Sequence, residues 1–154
     1  MTPLRLFRFA AIAEAVTWTL LLAGLVLRAT LGLDLAVTVG GGIHGFVFLA
    51  FAAVAVLVAI NQRWSLVVTV LAVGSAVVPY ATIPVELWLG RTGRLSGAWR
   101  LEQTADPRDA RWFDRAARAL FRRPRVLAAV IAVGVVALFV TLLVAGPPGG
   151  DASA

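Results

Sequence analysis

Apolar residues in this chain fall into long unbroken runs. Four stand out, from about Phe9 to Leu27, Val37 to Ile60, Trp64 to Leu89 and Val126 to Ala145. Each reaches the roughly 20 residues that cross about 30 Å of hydrocarbon at about 1.5 Å per residue. In lipid only a helix satisfies its own backbone groups segment by segment. The pattern therefore predicts an all-α, polytopic transmembrane bundle with four spans. The third run carries Pro79 and Pro84 in its second half, where each is expected to kink the helix. Trp64 opens that run and Trp88 nearly closes it, as indoles at the headgroup level would.

Between the third and fourth runs the pattern becomes amphipathic. Asp106 followed by Pro107 is a helix-start signal. After it, Trp112, Phe113, Ala116, Ala117, Leu120 and Phe121 recur at helical spacing, while Arg108, Arg111, Arg115, Arg118 and Arg122 take the other face. Asp114 is one turn from Arg111 and Arg118 and is expected to pair with them. A basic amphipathic helix of about 25 Å suits the membrane interface, with a groove on a partner protein as the alternative. The chain divides into a three-helix membrane unit (1–95), an Arg-rich loop with the amphipathic helix (96–125), a fourth helix (126–146) and a disordered tail (147–154).

Composition agrees with lipid as solvent. Of 154 residues 60% are hydrophobic and 14% charged, and the mean hydropathy is +0.91; soluble domains run nearer half apolar and a quarter charged. The net charge of +6 comes entirely from arginine, and ten of the fourteen arginines lie between Arg91 and Arg125, beside membrane segments. That placement points to anionic headgroups and topology rather than nucleic acid. There is no cysteine, so disulfide and thiolate chemistry is excluded. No Walker phosphate loop, His-x-x-x-His pair or Gly-x-Ser-x-Gly elbow occurs, so no reaction is assigned.

Sidedness is contested within the sequence. Four spans put Arg5, Arg8 and Arg63 on one side and Arg28 with the ten loop arginines on the other. That favours a cytoplasmic 91–125 loop in the bacterial cell membrane, with both termini outside. The first helix alone, preceded by Arg5 and Arg8, favours a cytoplasmic N-terminus. A third segment that turned back without crossing would remove the conflict, because all of these except Arg28 would then share the inner side. The length of Trp64 to Leu89 favours four spans.

Three stretches carry a family resemblance: "FRFAAIAEAVTWTLLL" (7–22), "IHGFVF" (43–48) and "QRWSLVVTVLAVGSAVVPYATIPVE" (62–86). They resemble a family of small bacterial integral membrane proteins, common in actinobacteria, named for its His-Gly pair and catalogued as a domain of unknown function. The resemblance covers about the first ninety residues and includes Glu14, His44-Gly45, Trp64-Ser65 and Val78-Pro79-Tyr80. It implies membrane location and a helical fold and brings no established activity.

The chemistry concentrates on a few polar residues inside the runs. Counted from the edges of their runs, Glu14 and His44 differ by about 12 Å in height, too far for a direct bond. Ser65 and Thr69 fall near Glu14, and Ser75, Pro79 and Tyr80 near His44. Pro79 frees the Ser75 carbonyl, which could accept from the imidazole; the Tyr80 hydroxyl is the alternative. Gly41 and Gly45 form a small-xxx-small face for another helix, with Gly24 as a counterpart. Glu86 is expected at the far interface, solvated or paired with Arg91 or Arg94. His44 is read as a helix-pinning hydrogen bond, or as a proton-relay or ligand site. Glu14 is read as a protonated carboxyl bonded to Thr17 or Thr69, or as a proton or cation site. Haem would need a second axial ligand from another subunit, and no cofactor is expected. The favoured function is an accessory or interaction subunit, with a homo-oligomer or a membrane protein as partner. The competing reading is a small proton-coupled or ligand-binding protein using Glu14, His44 and Tyr80.

Overall fold

The structure, a computed structural model, describes residues 1–146; the tail expected to be disordered lies outside the described residues. Three α-helices are long and apolar enough to cross a membrane: α1 (Pro3–Leu31), α2 (Asp34–Gln62) and α6 (Pro124–Ala145). Between α2 and α6 lie three shorter ones, α3 (Leu66–Gly74), α4 (Thr82–Arg91) and α5 (Trp112–Phe121). The described residues contain no strand.

α1 begins well before its apolar run. Thr2 accepts a hydrogen bond from the Arg5 backbone N–H, and Pro3 occupies the first turn, where a missing N–H costs nothing. It ends at Gly32, whose φ of 67° lets the chain turn tightly into α2. The two 29-residue helices pack antiparallel.

The third apolar segment is not a single helix. α3, capped by Ser65, passes into a 3₁₀ turn at Ser75–Val77 and stops. Val78 is extended, as the residue before a proline prefers. Pro79 and Tyr80 are the central residues of a β-turn closed by Ala81 N–H to Val78 C=O at 3.1 Å. Tyr80 takes φ 64°, the left-handed value that a type II turn requires at its third position. α4 then runs back the way α3 came. Pro84 sits in its first turn, where it is tolerated. The two prolines therefore do not kink a continuous helix, as expected from the sequence: Pro79 helps to reverse the chain and Pro84 restarts a helix. Leu66–Val77 and α4 are about 18 and 15 Å long, each too short to cross about 30 Å of hydrocarbon.

The reversal brings both ends of this hairpin to one end of the bundle. Trp64 Nε1 donates to Arg94 C=O at 2.8 Å, and the Trp64 ring meets Phe7 near the start of α1. Asn61 and Gln62, ending α2, donate to the carbonyls of Ala98 and Ser96. Trp99 Nε1 reaches the Met1 carbonyl at 2.8 Å. Phe7, Ala11, Phe51, Ala55, Val58, Ala72, Ala76, Leu89 and Leu95 fill the core at this end. α6 runs antiparallel to α2 and meets it where Phe139 faces Gly45 and Phe46. Among the described residues Arg28 alone of the arginines lies at the opposite end, beside Asp34.

Candidate functional site

The α1–α2 register is set by two glycines. A Cβ on Gly24 would lie 2.6 Å from the Ala36 carbonyl oxygen, and one on Gly40 would lie 2.9 Å from that of Leu20. Only hydrogen allows these backbones to come so close. The close contact expected of Gly41 and Gly45 falls instead on Gly40 and Gly24. Gly41 has room for a Cβ against Leu21, and Gly45 faces the Phe139 ring at ordinary contact distance. Gly24 meets Ala36 and Val37 rather than either of them.

This register places His44 opposite Thr17. His44 Nδ1 lies 3.1 Å from Thr17 Oγ1, and Thr17 Oγ1 donates to the Glu14 carbonyl at 2.9 Å. Since the hydroxyl has one proton, the consistent assignment has His44 Nδ1–H donating to Thr17. The imidazole also packs against Trp18, ring centres 4.4 Å apart and planes tilted by 50°. Glu14 is thus one turn from the height of His44, about 4.5 Å along the axis, not about 12 Å. Both helices start outside their apolar runs, so counting from the edges of the runs misplaced the register. No direct Glu14–His44 bond forms; Thr17 stands between them.

The hairpin supplies the other partners. Glu14 is fully buried, and Thr82 Oγ1 lies 3.1 Å from its Oε2 and 3.2 Å from the Ala11 carbonyl, its one proton shared between the two acceptors. The second oxygen, Oε1, has no hydrogen-bond partner. Trp18 Nε1 donates to the Ala76 carbonyl at 3.1 Å. Tyr80 Oη, half-exposed, lies 3.3 Å from Thr19 Oγ1. Glu86, 4% exposed, accepts from Arg8 Nε at 2.8 Å.

These contacts correct several expectations. The freed-carbonyl role expected of Ser75 falls to its neighbour, Ala76, and the donor is an indole. The Ser75 carbonyl accepts from Val78 N–H, and its hydroxyl is turned to Ala72. Thr69 bonds back to the Ser65 carbonyl and stays away from Glu14. Glu86 pairs with Arg8 rather than Arg91 or Arg94, because α4 returns to the N-terminal end of α1. Trp88 returns with it and packs under the Arg94 guanidinium. Glu14, His44 and Tyr80 do not form one site: Tyr80 meets Thr19 on an exposed face.

A second polar cluster, invisible to helical periodicity, forms where the Arg-rich loop meets the end of α2. Arg63, in the left-handed conformation that ends α2, donates to Asp106 at 2.5 Å, to Asp109, and to Asp114 at 3.3 Å. Arg100 reaches Asp114 at 3.0 Å and the Asn61 and Ile60 carbonyls. Asp109 is buried and also accepts from Thr104 N–H and Oγ1, both at 2.7 Å, and pairs with Arg118 at 3.2 Å. The Arg108 side chain and backbone N–H hold the Asp106 carboxyl down at about 2, with Arg63 adding to the effect. The two Thr104 hydrogen bonds, with Arg63 and Arg118, likewise hold Asp109 at about 2.

The amphipathic segment changes accordingly. Asp106 caps a short 3₁₀ turn, Pro107–Ala110, and the α-helix starts only at Trp112, so α5 is ten residues or about 15 Å long. Asp114 pairs with Arg63 and Arg100 rather than with Arg111 and Arg118. Arg118 is buried against Asp109 and cannot be a lipid-surface residue. Arg122 donates to the Leu101 carbonyl. Arg108, Arg111, Arg115, Arg122 and Trp112 remain on the surface. Phe121, expected on the lipid face, is buried against Trp99.

A family model described as "Domain of unknown function (DUF3817)" matches residues 4–91. "Putative membrane protein SCO5905" of Streptomyces coelicolor is 42% identical over 106 residues, covering 68% of this chain and 12% of that protein. This chain therefore spans about an eighth of that relative's length. No solved structure matches the chain.

Proposed function

The chain belongs to the DUF3817 family of bacterial membrane domains, and from that premise we propose that it serves as an accessory or interaction subunit of the bacterial cytoplasmic membrane. On this reading α1, α2 and α6 cross the bilayer, the 64–94 hairpin enters and returns, and the Arg-rich end faces the cytoplasm. Thirteen arginines then lie inside and Arg28 outside, which removes the charge conflict of a four-span arrangement. The chain has no native cysteine, so single introduced ones report sidedness directly. In intact cells, Leu33→Cys should react with a membrane-impermeant maleimide and Ser96→Cys should not; the reverse pattern would overturn the orientation.

The observation that carries the accessory role is that four polar side chains of α1 are engaged in holding the hairpin and α2. Glu14 ties to Thr82, Trp18 to Ala76, Arg8 to Glu86 and Thr17 to His44. Interhelical hydrogen bonds of this kind serve helix association. In detergent, Glu14→Ala and His44→Ala should lower the melting temperature, with Glu14→Gln closer to wild type. Variants that melt like wild type yet lose proton uptake or ligand binding would defeat this reading.

One observation favours the alternative, a proton-coupled or ligand-binding site. Glu14 Oε1 is buried without a partner, and buried carboxyls in membranes are functional candidates. On that reading Glu14 is the titrating group and His44 responds through Thr17. For haem, His44 Nδ1 is held by Thr17 and the ring packs at a tilt against Trp18. Protein purified without stripping should show no Soret band.

A further inference from the structure

Where the last turns of α2 meet α3 and the loop leading into α5, the structure holds a cleft of about 330 Å³. Its lining has two characters. Val56, Ile60 and Phe113 make an apolar wall, and Arg63, Arg108 and Arg111 bring guanidinium groups. Asp114 also lines it, but its carboxylate is already engaged by Arg63 and Arg100.

The charges around the cleft do not cancel. Arg63, Arg100, Arg108 and Arg118 pair with Asp106, Asp109 and Asp114 while Arg111 stands apart, five positive groups against three negative, an excess of two. The excess lies at the rim. Arg111 has no acidic partner among the described residues, and Arg108 shares Asp106 with Arg63 and is 58% exposed along its side chain. Arg63 also keeps a buried Nε–H without an acceptor. The site therefore wants a negatively charged group that only accepts hydrogen bonds, and such an anion meets arginine forks with two parallel bonds.

The apolar wall narrows the choice. It continues onto α3, whose Leu66, Val67 and Val70 are 78%, 68% and 59% exposed. Trp64 and Trp88, at the same end of the bundle, mark the headgroup level. A free anion would leave that wall in contact with water; an amphiphile would cover it. We propose that this cleft is a discrete site for one anionic phospholipid. Its phosphate meets Arg108 and Arg111, and an acyl chain lies along the Val56 side of α2. This rests on the reading above that the arginine end of the bundle lies at the cytoplasmic headgroup level.

Native mass spectrometry of the full-length protein in mild detergent, titrated with phosphatidylglycerol or phosphatidylcholine, tests it. One phosphatidylglycerol should be retained saturably, and phosphatidylcholine much more weakly. A basic residue beside an anionic lipid contributes a factor of about five in affinity. Arg111→Gln, which breaks no side-chain hydrogen bond or ion pair among the described residues, should cost about that factor, and Arg108→Gln with Arg111→Gln about thirty-fold. Arg115→Gln with Arg125→Gln removes the same charge from exposed positions outside the cleft and should leave retention unchanged. Equal losses in the two double variants, or equal binding of the two lipids, would overturn the site in favour of diffuse attraction. Complete displacement by excess inorganic phosphate would overturn the lipid in favour of a free anion. Binding in detergent does not depend on sidedness, so a reversed maleimide pattern would refute the orientation without touching this result, and the converse holds.

Discussion

α2 packs against a helix on either side, and the two contacts differ in kind. Against α1 it makes near-backbone contacts at Gly24–Ala36 and Gly40–Leu20, with the His44–Thr17 bond about one turn beyond the second. Against α6 it offers Gly45 to the Phe139 ring with space to spare, and α6 buries only Val135 along its length. Both pairs join helices long and apolar enough to cross a membrane. In lipid, burying one apolar surface against another gains little over acyl chains, so association depends on close backbone packing and polar ties. The α1–α2 pair has both. α6 has neither and depends on its covalent link through α5. The family match, residues 4–91, covers the tightly packed part and leaves α6 out.

The comparison can be broken most forcefully at its tightest point. Gly24→Leu pushes a side chain into the Ala36 carbonyl and should destabilise the protein by about 3 kcal/mol. A thermal melt in detergent reads this directly; a wild-type melt would mean that the helices are not in this register. Thr82→Val removes the tie between hairpin and Glu14 while keeping the shape. It should cost about 1 kcal/mol, the scale of interhelical hydrogen bonds in membranes.

Acid tests the charged cluster that anchors the loop. Asp106 and Asp109 titrate in the fold at about 2, below the ordinary aspartate value of about 3.9. Their contribution is therefore complete above that ordinary value and is lost as the pH falls toward 2. Amide exchange across 100–122 should accelerate in that window while α1 and α2 stay protected. A loop that stays protected there would show that these ion pairs do not hold it. Smallest of all should be Gly45→Ala, within about 0.5 kcal/mol of wild type. A large effect would show that α6 packs against α2 as tightly as α1 does.

The long helices were legible because each is a run of apolar residues whose length matches the bilayer, and that needs no tertiary information. Glu14 and His44 were legible as residues of interest for the same reason: a polar group in such a run stands out. Their partners were not. Thr82 reaches Glu14 only because the chain reverses at Val78–Ala81, and the same reversal carries Glu86 back to Arg8. Pro79 signalled a break, but a proline marks a kink or a turn equally well. The decisive feature is Tyr80 in a left-handed conformation, which its sequence does not announce. Arg118 was misplaced for a related reason. Periodicity separates a polar face from an apolar one, but it does not say whether the polar face meets headgroups or, as here, buried aspartates.

Sequence alone determined that this protein is helical and dissolved in lipid, where its hydrocarbon-length segments lie, and that its positive charge gathers in one loop. These follow from transfer energies summed along a continuous stretch, and such sums need no partner. Tertiary structure decided the rest: that the third segment turns back, which glycines touch, and which base meets which acid. Those outcomes depend on angles at a few turn residues and on contacts between positions as far apart as Arg8 and Glu86. No local pattern encodes either.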